Sequence, residues 1–525
     1  VSTIKQLRKI YHSQVDQSEY EKAVLTANKL SGLCPDDANV YNMLAHALKL
    51  CNQLEAALKC YQLSLLMDNN QVNVHMVVGE ILSMQGKKSE AFGCYLKGME
   101  LNPETPEVLH KTGSFLIDAG YLDEAELLLS KALLAGCESV IFDLLDLYEK
   151  QGEKQKLKYF IVEHQELFNR EKENLSLANA YLSLKEFERT IFYLKGMRTD
   201  NKPDSWLRAY NNLLAQAYEK KGLYSQAFEK YQEQNIRSHT LYSSKEAEAH
   251  FNKSIGVSSN IQITEKMSVH GFSKSYKHVF IVGLPRSGTS LLEQILNVDK
   301  SVVAAGELNF IESAFNEYVK GHRSLVELSE WYQDKCEFII SDTGANIQSI
   351  NWVSDKMPTN FAYLGFIKEM IPEAKFLYCK RNPLDNGFSI FKQNFNNSHG
   401  YASNLQDIAH FIALERSMMK RWLDSYPASI YTINYEKLVT QFDTESENIY
   451  DFLDLEWSEN VRLFYKNNKV INTASYNQVR NPINTNAVGA YKHFDKELLP
   501  LRLKLMKYGV IETDEVAKLS AFGVA

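Results

Sequence analysis

The sequence predicts two architectures in one multidomain chain. Residues 1–240 read as an all-α solenoid of helix–turn–helix repeats. Residues 277–525 read as an α/β domain with a mostly parallel sheet, and 241–276 join the two as linker and docking helix. Three observations predict this. Small residues recur at a fixed interval through the first half. A β-branched run, a glycine-rich loop and an amphipathic stretch follow one another over 277–296. Beyond that point short apolar runs alternate with helical stretches, the pattern of parallel strands whose ligands sit at their C-terminal ends.

The repeats come first in the chain. Ala23, Ala57, Ala91 and Ala125 are each 34 residues apart. Four residues after the last three stand Tyr61, Tyr95 and Leu129, with Ala27 at the first such position; Ser64, Gly98 and Ala132 stand seven after. Gly79 and Gly113 lie twelve before Ala91 and Ala125, and Pro35 and Pro103 lie twelve after Ala23 and Ala91. This is the helix–turn–helix period of tetratricopeptide repeats, in which small residues let helices cross closely, aromatics fill the gap and proline ends the unit. The pattern weakens over 137–185, which still reads as helical, and returns near Thr190 and at Ala227, giving about six or seven units. Such a scaffold presents a concave groove for a peptide or protein as well as a packed support. A helix is expected over 243–255, docking the repeats on the next domain. The Ser-rich stretch 256–275 reads as a loop.

At 279–282 the run Val-Phe-Ile-Val reads as a buried strand, and Leu291, Leu292, Ile295 and Leu296 mark one face of a helix over 289–296. Between them Gly283 and Gly288 bracket four residues, as in a P-loop. Strand, glycine loop and helix together offer backbone N–H groups to a phosphate at a helix N-terminus. The lysine of a nucleoside triphosphatase is replaced by Thr289, and the positive charge sits inside the loop as Arg286. Without that lysine the contact to β/γ-phosphates is missing, so a nucleotide with a smaller 5′ anionic group is expected.

The segment Leu-Pro-Arg-Ser-Gly-Thr-Ser over 284–290 resembles the 5′-phosphosulfate loop of sulfotransferases, which use 3′-phosphoadenosine 5′-phosphosulfate. With repeats ahead of it, the chain is similar to protein-tyrosine sulfotransferases and to bacterial sulfotransferases bearing tetratricopeptide repeats. The resemblance implies a P-loop-like sulfotransferase domain in which Arg286, Ser287, Gly288, Thr289 and Ser290 hold the 5′-phosphosulfate. A second strand is expected over 374–379, followed by Lys380-Arg381-Asn382-Pro383. Arg381 and Ser389, eight residues on, resemble the family's 3′-phosphate site, a guanidinium fork with a neutral hydroxyl donor. Glu307, after Gly306, stands near the family's general base. Some tyrosine sulfotransferases use the second Glu of Gly-Glu-Glu, a place held here by Leu308, whereas Glu307-Leu-Asn-Phe310 fits the heparan-type pattern. Asp355-Lys356-Met-Pro358 resembles the family's catalytic lysine, whose cation neutralises the oxygen that leaves with the nucleotide. The stretch 473–482 resembles the late cofactor loop: Ser475, Gln478 and Val479 match, Ser475 acts with Lys356 on the bridging oxygen, and Arg480 is a further basic contact. Tyr491 stands where the family often has Trp, a flat wall for adenine. The basic residue usual before it is Ala490, and Lys492 follows instead. A third strand is expected over 429–433 and a helix over 405–424. Each residue also has a plain structural reading: Arg381 at a sheet edge, Glu307 solvated, Asp355 and Lys356 in a turn, 473–482 a polar loop.

The implied activity is sulfuryl transfer to a hydroxyl, with release of 3′,5′-ADP and no metal. The repeats favour a protein or peptide acceptor and the family's motif set leans to tyrosine; a carbohydrate or small-molecule hydroxyl is the enzyme alternative. The missing P-loop lysine argues against an ATP-dependent kinase, and a non-catalytic repeat adaptor is the remaining class. Composition adds bounds. A 525-residue chain exceeds one core. Its 45% hydrophobic and 23% charged residues are ordinary for a globular protein, and a net charge of −7 supports no nucleic-acid partner. Seven scattered cysteines without a C-x-x-C pair argue against a disulfide framework or zinc site and for a reducing, cytoplasmic compartment. No apolar run reaches the roughly 18 residues of a transmembrane helix. The start has no apolar signal core, and Val1 in place of Met leads to the expectation of a trimmed start.

Overall fold

The computed structural model describes residues 2–85, 87–170, 174–261, 275–395, 399–466 and 481–512. The chain divides into two compact units, Val1–Lys185 and Glu186–Ala525.

The first unit is built of helices. Ala38–Leu50 packs against Leu54–Met67, Val72–Met84 against Lys88–Leu101, and Pro106–Ala119 against Leu122–Leu134. The 34-residue period is a burial pattern: Ala23, Ala57, Ala91 and Ala125 have no accessible surface. The helices cross so closely that a Cβ on Gly113 would lie 2.7 Å from Leu129, and one on Gly79 3.0 Å from the Tyr95 ring. Pro106 opens its helix at the first position, where its missing N–H has no intrahelical partner to lose. The helices continue through the weakly patterned stretch as Val140–Gln151, Lys154–Glu163, Gln165–Arg170 and Leu175–Ser183.

The second unit begins with Phe187–Lys195 and the packed pair Asp204–Lys220 and Tyr224–Ile236, in which Ala227 and Tyr231 are buried. The next helix, Ser244–Asn260, runs further than the sequence predicts and takes in residues 256–260 of the expected loop. Ser254 and Ser258, loop-favouring by local chemistry, are buried here. Ser254 Oγ donates to the Ala362 carbonyl at 2.5 Å and Ser258 Oγ to the Ser254 carbonyl at 2.9 Å. Tertiary packing outweighs the local preference.

Five strands form one parallel sheet: β1 (Lys277–Gly283), β2 (Val302–Ala304), β3 (Trp352–Asp355), β4 (Lys375–Lys380) and β5 (Ile430–Asn434), in the order β2-β3-β1-β4-β5. Phe280, Val282, Phe376 and Tyr378 join one core with Tyr332 and Phe361; Val279, Ile281 and Leu377 join another with Leu292 and Ile295. A parallel sheet covered on both faces explains why β1 reads as an unbroken apolar run. β1, β4 and β5 fall where the sequence predicts strands. β2 and β3 carry no such signal, being three and four residues long and, in β3, ending on the polar pair Ser354-Asp355.

Candidate active site

After β1 the chain turns through the loop into the helix Thr289–Leu296. The turn requires glycine at both ends. Gly283 has φ +145°, and a Cβ there would lie 2.5 Å from the Cys379 carbonyl on β4. Gly288 has φ +109°, and a Cβ there would lie 2.7 Å from the Tyr435 ring. Arg286 takes φ +67° without being glycine, a strained state that persists only where the surroundings over-determine it. Those surroundings are visible: Arg381 Nη1 donates to the Arg286 carbonyl at 2.8 Å and Asn386 Nδ2 to the Pro285 carbonyl at 2.9 Å.

Arg286 Nε in turn donates to Ser389 Oγ at 3.3 Å. Arg286, Arg381 and Ser389 therefore form one cluster, although they are up to 103 residues apart. The register explains it: Gly283 pairs with Cys379, so the residues just past β4 lie beside the loop past β1. Arg381 Nη2 donates to the Ala487 carbonyl at 2.8 Å, and its guanidinium lies 4.7 Å over the Tyr435 ring. Burial and the neighbouring Arg381 charge pull the Arg286 guanidinium down to about 10, which leaves it a cation at neutral pH. Thr289 and Ser290 are buried at the first helical turn. The Ser287 hydroxyl is buried with no hydrogen-bond partner among the described residues.

Glu307 and Lys356 meet through the other side of the sheet. β2 and β3 pair with Ala304 opposite Ser354. The ladder runs on: Ala305 N–H donates to the Ser354 carbonyl and Lys356 N–H to the Gly306 carbonyl, each at 2.9 Å. Lys356 Nζ then donates to Glu307 Oε1 at 2.5 Å; the lysine side chain is 0% exposed and the glutamate 41%. Gly306 N–H donates to Glu293 Oε1 at 3.0 Å, tying this turn to the helix Thr289–Leu296. Beneath the pair, Tyr332 OH donates to Asp355 Oδ2 at 3.1 Å. Burial first, and then the Glu293 charge, push the Asp355 carboxyl up to about 8.

Tyr491 N–H donates to Asp385 Oδ1 at 3.0 Å and Gly489 N–H to Asp385 Oδ2 at 2.7 Å. The Tyr491 ring lies 5.9 Å from the Arg502 guanidinium, and Lys492 is exposed. Ser475, Gln478, Val479 and Arg480 lie outside the described residues.

Residues 278–459 match the model of the sulfotransferase family, and residues 38–71 match that of the tetratricopeptide repeat. The second unit carries a sulfotransferase-family domain. An uncharacterized protein of Aquifex aeolicus is 32% identical over 49% of this chain and 36% of its own length. Protein-tyrosine sulfotransferase A of Caenorhabditis elegans is 24% identical over 43% of this chain and 64% of its own length. The chain thus spans less than two thirds of either relative. A tetratricopeptide repeat protein from Parabacteroides merdae has a TM-score of 0.38 at 16% identity, covering 46% of this chain and 94% of that one.

Sequence reasoning missed several groups that shape this candidate site. Asp385 reads in sequence only as an acid in the first turn of a helix. Tyr435 gives no signal beyond following β5. His399 lies where the Glu307 charge acts on it; burial lowers its pKa and that charge opposes the shift. The helix Pro383–Lys392, which carries Ser389, is held at its C-terminus from outside. Asn235 Nδ2 donates to the Phe391 carbonyl at 2.8 Å and Asn212 Nδ2 to the Lys392 carbonyl at 2.9 Å. These amides satisfy two of the carbonyls that a helix end leaves without intrahelical partners. Lys392 Nζ pairs with Glu219 at 2.8 Å.

Proposed function

We propose that the chain is a sulfotransferase that moves a sulfuryl group from 3′-phosphoadenosine 5′-phosphosulfate to a hydroxyl, with tyrosine of a protein or peptide as acceptor. The observation that carries this reading is the cluster of Arg286, Arg381 and Ser389, which gathers the candidate 5′ and 3′ anchors at the ends of β1 and β4. The half-buried Arg286 guanidinium feels the like charge of the buried Arg381, and an anion between them relieves that repulsion. The buried Ser287 hydroxyl and the first turn of the helix Thr289–Leu296 add donors of the kind an anion oxygen accepts. The residues thus fit a doubly anionic nucleotide.

When bound, the donor supplies the sulfuryl group and 3′,5′-ADP as leaving group. In this reading Ser287 to Ser290 and Arg286 hold the 5′ end, and Arg381 with Ser389 holds the 3′-phosphate. Glu307 takes the proton of the acceptor hydroxyl, and Lys356 neutralises charge on the leaving oxygen together with Ser475. Gln478, Val479, Arg480, Tyr491 and Lys492 complete the nucleotide's surroundings. The name printed for the Caenorhabditis elegans relative and the repeats support a protein acceptor. Seven cysteines without a disulfide support a reducing, cytoplasmic location. Among the described residues no helix is long and apolar enough to cross a membrane.

Thermal unfolding with 3′,5′-ADP and with ATP tests the nucleotide, since a ligand that binds only the folded state raises the melting temperature. Stabilisation by 3′,5′-ADP is expected. Stabilisation by ATP alone would make the chain a kinase, and no response to either an adaptor. Transfer of radiolabelled sulfate to tyrosine peptides, against a carbohydrate acceptor, tests the acceptor.

A further inference from the structure

In the first unit Cys137, His110 and Asp143 stand in a line. Cys137 Sγ lies 3.7 Å from His110 Nδ1, and His110 Nε2 lies 2.9 Å from Asp143 Oδ2. The other Asp143 oxygen accepts from Ser114 Oγ at 2.7 Å, and Ser139 Oγ lies 3.5 Å from the sulfur. The repeat itself does not call for this thiol. Cys137 falls twelve residues after Ala125, the place that Pro35 and Pro103 hold after Ala23 and Ala91.

The order thiol, imidazole, carboxylate fixes the roles. Burial alone would raise the Asp143 carboxyl, but hydrogen bonds from His110 and Ser114 hold it below its usual range, so it faces the ring as an anion. An anion at Nε2 keeps the ring proton there and leaves the Nδ1 lone pair toward the thiol. A base oriented by a third group is the arrangement that takes a proton from a nucleophile as it attacks. Cys137 is partly exposed, so a small reagent reaches it. His110 uses both ring nitrogens along this line, and among the described residues no three such side chains are placed to hold a metal.

We propose that Cys137, activated by His110 and Asp143, is a nucleophilic thiol at which the chain is oxidised by hydroperoxides. The sulfur attacks one peroxide oxygen; the S–O bond forms and the O–O bond breaks. The thiol proton passes through His110 Nδ1 to the departing oxygen, which leaves as water from hydrogen peroxide or as an alcohol from an organic hydroperoxide. Sulfur loses two electrons to become a sulfenic acid, the peroxide gains them, and an external thiol reverses the change.

The test uses the full chain. Iodoacetamide labelling is followed peptide by peptide, with the half-buried Cys34 and Cys51 as internal references. Cys137 is expected to label roughly tenfold faster than either. Asp143→Asn, which keeps the side chain's shape, and His110→Gln are expected to bring it to the reference rate without changing Cys34, Cys51 or the melting temperature. After hydrogen peroxide, dimedone is expected on Cys137. If Cys137 labels no faster than Cys34 and Cys51, keeps its rate in Asp143→Asn, or gains no dimedone, the proposal is overturned. Should His110→Gln unfold, Asp143→Asn alone decides.

Discussion

Arg381 Nη1 donates to the main-chain carbonyl of Arg286 across 2.8 Å, so the guanidinium that follows β4 shapes the loop that follows β1. With Nη2 on Ala487, the same fork joins three segments. A lysine at 381 has no planar fork to bridge both carbonyls. Arg381→Lys is expected to cost about 1.5–3 kcal/mol of stability, the range for hydrogen bonds made by a charged group. It is also expected to shrink the thermal shift given by 3′,5′-ADP more than that given by 5′-AMP. Equal losses for both nucleotides would separate Arg381 from the 3′-phosphate.

Glu307 and Lys356 form an ion pair with one buried member. Glu307→Gln keeps an oxygen for the lysine but no base, and is expected to lower sulfate transfer by about 10²–10⁴ while 3′,5′-ADP still binds. Lys356→Met keeps the volume and loses the cation, with a turnover loss expected alongside. Initial rates and calorimetric nucleotide titration check both; near-normal turnover in either variant removes that residue from the mechanism.

Asp355 sets a pH dependence. Its unfolded carboxyl titrates near 3.8 and its folded one near 8. Between those values the folded chain keeps a proton that the unfolded chain releases. Its contribution to stability therefore falls as pH rises through that window, by up to about 1.4 kcal/mol per pH unit. Asp355→Asn is expected to flatten this slope. Urea unfolding of both proteins at pH 5, 6, 7 and 8 checks it, and parallel slopes would exclude Asp355 as the source.

Asn235 places a side-chain amide on the buried end of the helix that carries Ser389. Asn235→Ala leaves the Phe391 carbonyl without this donor, at an expected cost of about 1–3 kcal/mol. Because that helix positions Ser389, the affinity for 3′,5′-ADP is expected to fall as well. Denaturant midpoints and nucleotide titration check the two effects; an unchanged affinity would confine Asn235 to stability.

The sequence alone determined what depends on local pattern. A 34-residue recurrence of alanine is visible without coordinates because each alanine must vanish into the same kind of helix crossing. β1, its loop and the helix Thr289–Leu296 are equally legible, since strand burial, glycine and helix periodicity are all short-range signals. The tertiary structure decided what depends on pairing. β2 is too short, and β3 too short and half polar, to announce themselves, yet their register carries Glu307 to Lys356. Asp385, Tyr435, Asn212 and Asn235 act only on backbone or rings far away in the chain, and the helix that carries Ser254 runs on into the expected loop while Ser254 bonds the distant Ala362 carbonyl. A strand's neighbours and a side chain's distant partner are set by packing of the whole unit, for which no run of adjacent residues holds the signal.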